Sequence, residues 1–148
     1  MNEPSVVGIT PSVQDYCRLR IAAGLSPKSI AAAEAGLPNT LFGVTVMVNS
    51  KAVGIGRIIG DGGTAYQIVD IAVDPAFQGQ GLGKQIMAHL ANWLQNNAPD
   101  SAYVSLIADG PAHMLYSQFG FEPTAPASIG MAMLIERNKP QPPMKAIT

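Results

Sequence analysis

Val69 Asp70 Ile71 Ala72 Val73 Asp74 Pro75 Ala76 Phe77 Gln78 Gly79 Gln80 Gly81 Leu82 Gly83 is the stretch on which the reading of this chain turns. Val69, Ile71 and Val73 are β-branched and alternate, which reads as the end of a strand, and Asp74 Pro75 stops it. From Leu82 the apolar residues Leu82, Ile86, Leu90 and Trp93 or Leu94 recur at close to four, the spacing of one buried helix face. Gly79, Gly81 and Gly83 therefore sit between a strand and a helix. The first turn of a helix has unpaired N–H groups and the positive end of the helix dipole, so it attracts anions. Glycine lets the backbone bend unusually and approach phosphate oxygens directly. Lys84 adds a charge at the rim.

Two phosphate-binding patterns fail on spacing. A nucleotide triphosphatase loop has four residues between Gly and Gly-Lys-Ser/Thr, whereas only three separate Gly79 from Gly83 Lys84, and Gln85 follows. A dinucleotide fingerprint beginning at Gly79 needs glycine at 84, and its turn should follow the strand at once, but Asp74 Pro75 Ala76 Phe77 intervene. A loop whose glycines only turn the chain stays open as the plain alternative.

Upstream, residues 6–9 read as a short strand, and Thr10 or Ser12 near Pro11 caps a helix over about 13–23. A second helix starts after Ser26 Pro27 and crosses 30–35 before Gly36. Strands at 42–48 and 52–59 flank Asn49 Ser50 Lys51, a hairpin signature, and Asp61 Gly62 Gly63 turns into a strand over 66–73. Downstream, the long helix ends near Asn96 and a strand is expected over 103–107. A short helix over 112–119 is closed by Gly120, and a last strand covers 129–135. Residues 1–137 read as one domain and 138–148, with three prolines, as a disordered tail. A hairpin-rich first half followed by alternating strands and helices predicts an α/β fold, a mixed central sheet flanked by helices.

Composition narrows the partners. Of the 148 residues 47% are hydrophobic, enough for a core, while 13% are charged and the net charge is −1. Charge is about half the usual share, and no basic run exists, so nucleic acid and anionic membrane are not expected partners. The low charge points instead to surface covered in a homodimer. A single cysteine, Cys17, and two histidines far apart in sequence leave no metal cluster to expect. No apolar stretch reaches the roughly 20 residues of a membrane span, and the first residues lack a basic-then-apolar leader, which makes a cytoplasmic location the expectation.

The stretch quoted above resembles the signature of the GNAT superfamily of acyl-CoA-dependent N-acetyltransferases: a strand, a hydrophobic-Ala-Val-x-Pro turn, then Gln or Arg, two residues, Gly, one residue, Gly or Ala. Gln78, Gly81 and Gly83 stand at its three defining positions. Ala112, Leu115 Tyr116 and Phe119 Gly120 Phe121 are similar to the family's closing motif. The resemblance is specific over 66–121 and architectural over 6–59. It implies a GNAT-like domain with acetyl-CoA as co-substrate between splayed central strands. The pyrophosphate would lie on Gln78, Gly79, Gly81, Leu82, Gly83 and Lys84, and the pantetheine arm would pair with the backbone of Ile71, Ala72 and Val73. Asp109, where members often carry Asn, and Tyr116 would also meet the cofactor. An aspartate there accepts but does not donate hydrogen bonds.

By the same resemblance an amine attacks the thioester directly, and Tyr116 is the general acid that meets the departing thiolate. The base is open. Asp70 is acidic within an apolar strand, where a function should be considered, yet alternation turns it away from Gln67, Val69 and Ile71 unless a bulge intervenes. Asp70 is as well suited to a structural acceptor as to a base, and water held by Gln67 is a further route. Family members with a glutamate near Gln67 or Val104 have no counterpart here. His113 is expected exposed, Cys17 and Trp93 in the core, and Tyr16, Arg18 and Arg20 are polar candidates for acceptor choice. An acyl-CoA-binding regulatory module with little catalysis is the rival reading.

Overall fold

The computed structural model describes residues 3–137; the expected tail over 138–148 lies outside the described residues. Five strands, β1 (Ser5–Val7), β2 (Phe42–Val48), β3 (Lys51–Gly60), β4 (Ala65–Val73) and β5 (Tyr103–Ser105), lie side by side in chain order. The first four are antiparallel neighbours, and β5 runs parallel to β4. A parallel pair needs a crossover, which here is α3 (Leu82–Asn97). Helices α1 (Val13–Ala22) and α2 (Ile30–Gly36) pack against one face of the sheet, α3 against the other, and α4 (His113–Tyr116) follows β5. The mixed sheet flanked by helices is the architecture the sequence predicts.

Local chemistry accounts for most boundaries. Ser12 accepts from Asp15 N at 3.1 Å and caps α1, and Ser29 accepts from Ala32 N at 3.1 Å and caps α2. Each cap satisfies an N–H that the helix cannot. Asn49 and Ser50 take φ of 51° and 64°, the two left-handed residues of a hairpin turn whose twist matches its strands. Helix α3 buries Leu82, Ile86, Met87, Leu90 and Leu94 against the sheet, each such side chain contributing roughly 1.5–3 kcal/mol. It can lie this close because Gly56 of β3 has no side chain: a Cβ there would stand 2.6 Å from Ile86 Cγ2.

One irregularity decides where the chemistry sits. Ile55 pairs with Ala72 but Arg57 pairs with Val69, so β4 holds one residue more than β3 between these points. Asp70, with φ of 61°, is in this bulge. An extra residue reverses the alternation. Tyr66 and Ile68 face α3 before it, Ile71 and Val73 face α3 after it, and Asp70 and Ala72 face α1. The condition attached to Asp70 in the sequence is met.

The last expected strand is a correction. Residues 129–135 are neither helix nor strand, and Ile129, Met131, Met133, Leu134 and Ile135 are exposed. Their composition favours an extended backbone, but a strand exists only where a neighbour takes its N–H and C=O groups, and none does among the described residues. The expected strand at 103–107 pairs only over Tyr103–Ser105, and the expected helix at 112–119 is broken into α4 with a 3₁₀ turn on each side.

Candidate functional site

Strands β4 and β5 pair over only three residues, Ala65 to Gln67 against Tyr103 to Ser105. Beyond that point they part. The bulge at Asp70 turns β4 one way, and the chain after Ser105 leaves for the turn before α4. A cavity of about 430 Å³ fills the gap, walled by Gln67 and Ile71 of β4, by Leu106, Ile107 and Asp109, and by Tyr116. Arg20, Leu25 and Lys28 close it from the α1–α2 side. A second cavity of about 420 Å³ runs along Ile71, Ala72 and Val73 to the glycine turn, with Leu115 opposite. Ile71 lines both, so the two adjoin.

The second cavity brings Gln78, Gly79, Gly81, Leu82, Gly83 and Lys84 together. Gly79 and Gly81 hold φ of 80° and 79°, and a Cβ added to either would meet nothing within 4 Å. Their lack of side chains is thus a matter of conformation, the left-handed region costing other residues about 1–2 kcal/mol. Gly81 occupies the cap position of α3 and supplies no side-chain cap, which leaves first-turn N–H groups without a side-chain acceptor, and Lys84 lines the same cavity. A glycine turn with free donors and a lysine could hold a pyrophosphate. Gln78 Nε2 donates to Val73 O at 3.0 Å, and Asp74 Oδ1 accepts from Ala76 N at 2.9 Å, which fixes the turn between β4 and α3.

The first cavity holds Tyr116 and Asp109. Tyr116 is half-buried, and its hydroxyl makes no hydrogen bond among the described residues. Burial, and secondly the Asp109 carboxylate, push its pKa above the usual 10, so the phenol stays protonated through the neutral range. Asp109 is exposed and caps nothing with its side chain. His113 is exposed and its Nδ1 lies 3.1 Å from Gly110 O. Trp93 is half-buried, stacked on Phe42 at 5.5 Å between ring centroids.

Asp70 lines the same cavity from behind, and here side chains distant in sequence converge. Its Oδ2 accepts from Arg57 Nε at 2.8 Å, and its Oδ1 from Arg20 Nη1 and from Tyr16 Oη, the last at 3.2 Å. Arg57 also donates to Thr40 Oγ1 at 2.6 Å, and Arg20 to Ser26 O and Oγ at 2.9 and 3.0 Å. All three charged side chains are at most 10% exposed. The cluster is fully hydrogen-bonded, as buried charge must be. Tyr16 is held between the guanidiniums, and burial followed by the Asp70 charge raises its pKa. Arg20, a candidate for acceptor choice, is therefore committed to Asp70 and Ser26, and Arg18 to Asp15 and Ala52 O. Lys28 is exposed and without a side-chain partner among the described residues. Arg57 escaped the sequence reading, although a cation inside an apolar strand two residues from Ile55 carried the same signal that drew attention to Asp70.

No metal-ligating cluster of three acidic, histidine or cysteine residues occurs among the described residues, and no helix there is long and apolar enough to cross a membrane.

Comparison with known proteins bears on this geometry. A family model described as an acetyltransferase (GNAT) domain matches residues 41–123, which hold both glycine turn and Tyr116. A protein of unknown function from Staphylococcus aureus, a probable acetyltransferase, superposes with a TM-score of 0.86 at 52% identity over 90% of this chain and all of its own. The chloroplastic GCN5-related N-acetyltransferase 2 of Arabidopsis thaliana is 38% identical over 72 residues, 49% of this chain and 27% of that protein. An uncharacterized Mycobacterium leprae protein is 32% identical over 130 residues, 82% of this chain and 35% of its own length. The chain thus spans about a third of these two curated relatives.

Proposed function

The chain belongs to the GNAT acetyltransferase family, and on that premise we propose that it moves an acetyl group from acetyl-CoA directly to an amine of a small molecule or a protein. The observation that carries the reading is the meeting of two cavities at Ile71, one reaching the glycine turn and the other reaching Tyr116. In this reading the backbone of Gly79, Gly81, Leu82 and Gly83, with Gln78 and Lys84, holds the pyrophosphate. Ile71, Ala72 and Val73 guide the pantetheine arm toward the gap between β4 and β5. Acetyl-CoA supplies an acyl carbon activated by its thioester.

At that carbon the amine nitrogen forms a bond, the carbon–sulfur bond breaks, nitrogen gives up a proton and sulfur gains one. Tyr116 donates its hydroxyl hydrogen to the departing sulfur. A phenol with a raised pKa is a weaker acid than a free thiol near 8.5, so hydrogen bonding to the developing negative charge contributes as much as completed transfer. Asp70 is a positioning residue: taking a proton would disrupt two charge-assisted pairs, and its value lies in holding the bulge that opens the cavity. The nitrogen's proton leaves through water held by Gln67 and backbone carbonyls. A cytoplasmic location belongs to the same reading and is checked by cell fractionation.

The engagement of Asp70 by two arginines also favours a second reading, an acyl-CoA-binding module with little catalysis. Incubating the protein with acetyl-CoA and a panel of amines, with thiol release followed against an amine-free control, decides between them. Amine-dependent release is expected. Tight acetyl-CoA binding with no release above the control for any amine would leave the binding module.

A further inference from the structure

The cavity that holds Tyr116 does not end at its α1–α2 side. Lys28, which lines it there, also lines a recess of about 250 Å³ between α2 and β3, whose other walls include Tyr16, Ala33, Leu37 and Arg57. These four are at most 8% exposed, so packed side chains fix the shape of the recess. Two cations line it and no acidic residue does. The charge behind it is positive as well: Arg20 and Arg57 share the single carboxylate of Asp70, two cations against one anion in a buried cluster. Arg57 spends Nε on Asp70 and Nη1 on Thr40, and its Nη2 makes no hydrogen bond among the described residues. No buried side-chain nitrogen lacks a partner there, so Nη2 is not sealed in.

Lys28 is held at this junction by its backbone. Its carbonyl accepts from Cys17 Sγ at 3.9 Å, Ser29 beside it caps α2, and Arg20 fastens the preceding loop through Ser26 O and Oγ. Its ammonium stays exposed. On the far wall of the first cavity stands Asp109, close enough to Tyr116 for its charge to be felt there. A carboxylate at one end and an excess of cations at the other give the cavity a direction.

We infer that the acceptor is a small amine carrying an anionic group, a carboxylate or a phosphate, which Lys28 and Arg57 Nη2 hold in the recess between α2 and β3 while the amine lies toward Tyr116. This rests on acetyl transfer at Tyr116 and names the acceptor for it. An anion in the recess meets positive charge that Asp70 leaves uncancelled, and the low-dielectric wall behind strengthens the attraction. The recess is smaller than a whole ligand pocket of roughly 300 Å³ or more, so it suits one functional group of a molecule whose remainder lies in the first cavity.

The test uses the full chain and matched pairs: ω-amino carboxylates of increasing length, each against its amide, and 2-aminoethyl phosphate against 2-aminoethanol. Each pair is measured by thiol release with acetyl-CoA and by calorimetry on protein saturated with CoA. In at least one pair the anionic amine should exceed its neutral counterpart about tenfold or more in affinity and in kcat/KM, the worth of one charge-assisted hydrogen bond. The pair that shows it tells carboxylate from phosphate. Lys28→Glu should bring this ratio to about one or below and Lys28→Gln part of the way, with acetyl-CoA affinity and melting temperature retained. Neutral amines binding as well as anionic ones in every pair would overturn the inference, and so would a ratio undiminished in both folded Lys28 variants. An anionic preference in binding with no thiol release from any amine would uphold the recess and sink acetyl transfer, so the two failures read differently.

Discussion

The glycine turn before α3 and the ion cluster behind β4 border adjoining cavities but are made in opposite ways. The turn comes from consecutive residues, with Gly79 and Gly81 exposed, and in the proposed reading works through backbone N–H groups. The cluster comes from Tyr16, Arg20, Arg57 and Asp70, is buried, and works through side chains. A substitution at Gly79 or Gly81 changes the backbone conformation there and leaves the core alone. One in the cluster strands charge inside the protein. In the proposed reading binding and stability are thereby separated between the turn after β4 and the cluster behind it, and the variants below measure that separation.

Tyr116 belongs to neither region and calibrates both. Tyr116→Phe keeps the ring and should lower kcat by about 10² to 10⁴, the usual worth of general acid catalysis, with acetyl-CoA affinity and melting temperature little changed. A fall of less than about threefold would remove the hydroxyl from the mechanism. Its raised pKa fixes the sign of the pH dependence. Protonated is the working form, so any loss of kcat due to Tyr116 comes only as pH rises past about 10; an alkaline loss centred below that belongs to another group.

Asp70→Asn should cost about 3–4 kcal/mol of stability, because it leaves two buried guanidiniums without their counter-charge. Turnover per folded molecule should keep the wild-type pH profile. Denaturant unfolding and a pH–kcat curve check this, and a selective loss of turnover at low pH would make Asp70 the base and erase the contrast between the two regions.

Gly81→Val should show the reverse pattern. Acetyl-CoA affinity should fall at least tenfold by calorimetry, while stability drops by only about 1–2 kcal/mol for a side chain in the left-handed region. Unchanged affinity in the folded variant would count against the pyrophosphate assignment. The smallest effect is expected at Asp61, whose carboxylate accepts from Thr64 Oγ1 and from the N–H groups of Gly63, Thr64 and Ala65. These bonds, that of Thr64 first, lower its pKa from 3.8 to about 2. A depressed carboxyl stabilises the fold above its unfolded pKa and loses that contribution as pH falls through the folded one. Asp61→Asn should therefore lower stability slightly near neutrality and flatten the profile between about pH 4 and 2, where only the wild type loses this contribution.

How much of this was legible beforehand follows the range of the forces involved. Strand β4, helix α3 and the Asn49 Ser50 hairpin are set by turn dihedrals, side-chain spacing and hydrogen bonds within a few residues, so the chain alone determined them, while for the cap of α1 it left Thr10 or Ser12 and the structure uses Ser12. The glycine turn was readable for the same reason: its chemistry is that of its own backbone. Tertiary structure decided the rest. Whether Asp70 faces α1 depends on one extra residue measured against β3, and its partners lie 13, 50 and 54 positions away in sequence. Pairing over that separation depends on burial, which no local pattern records. Residues 129–135 mark the same boundary from the other side. Their alternation made a strand favourable, but a strand is a relation between two segments, and the neighbour that completes it is not written in either one.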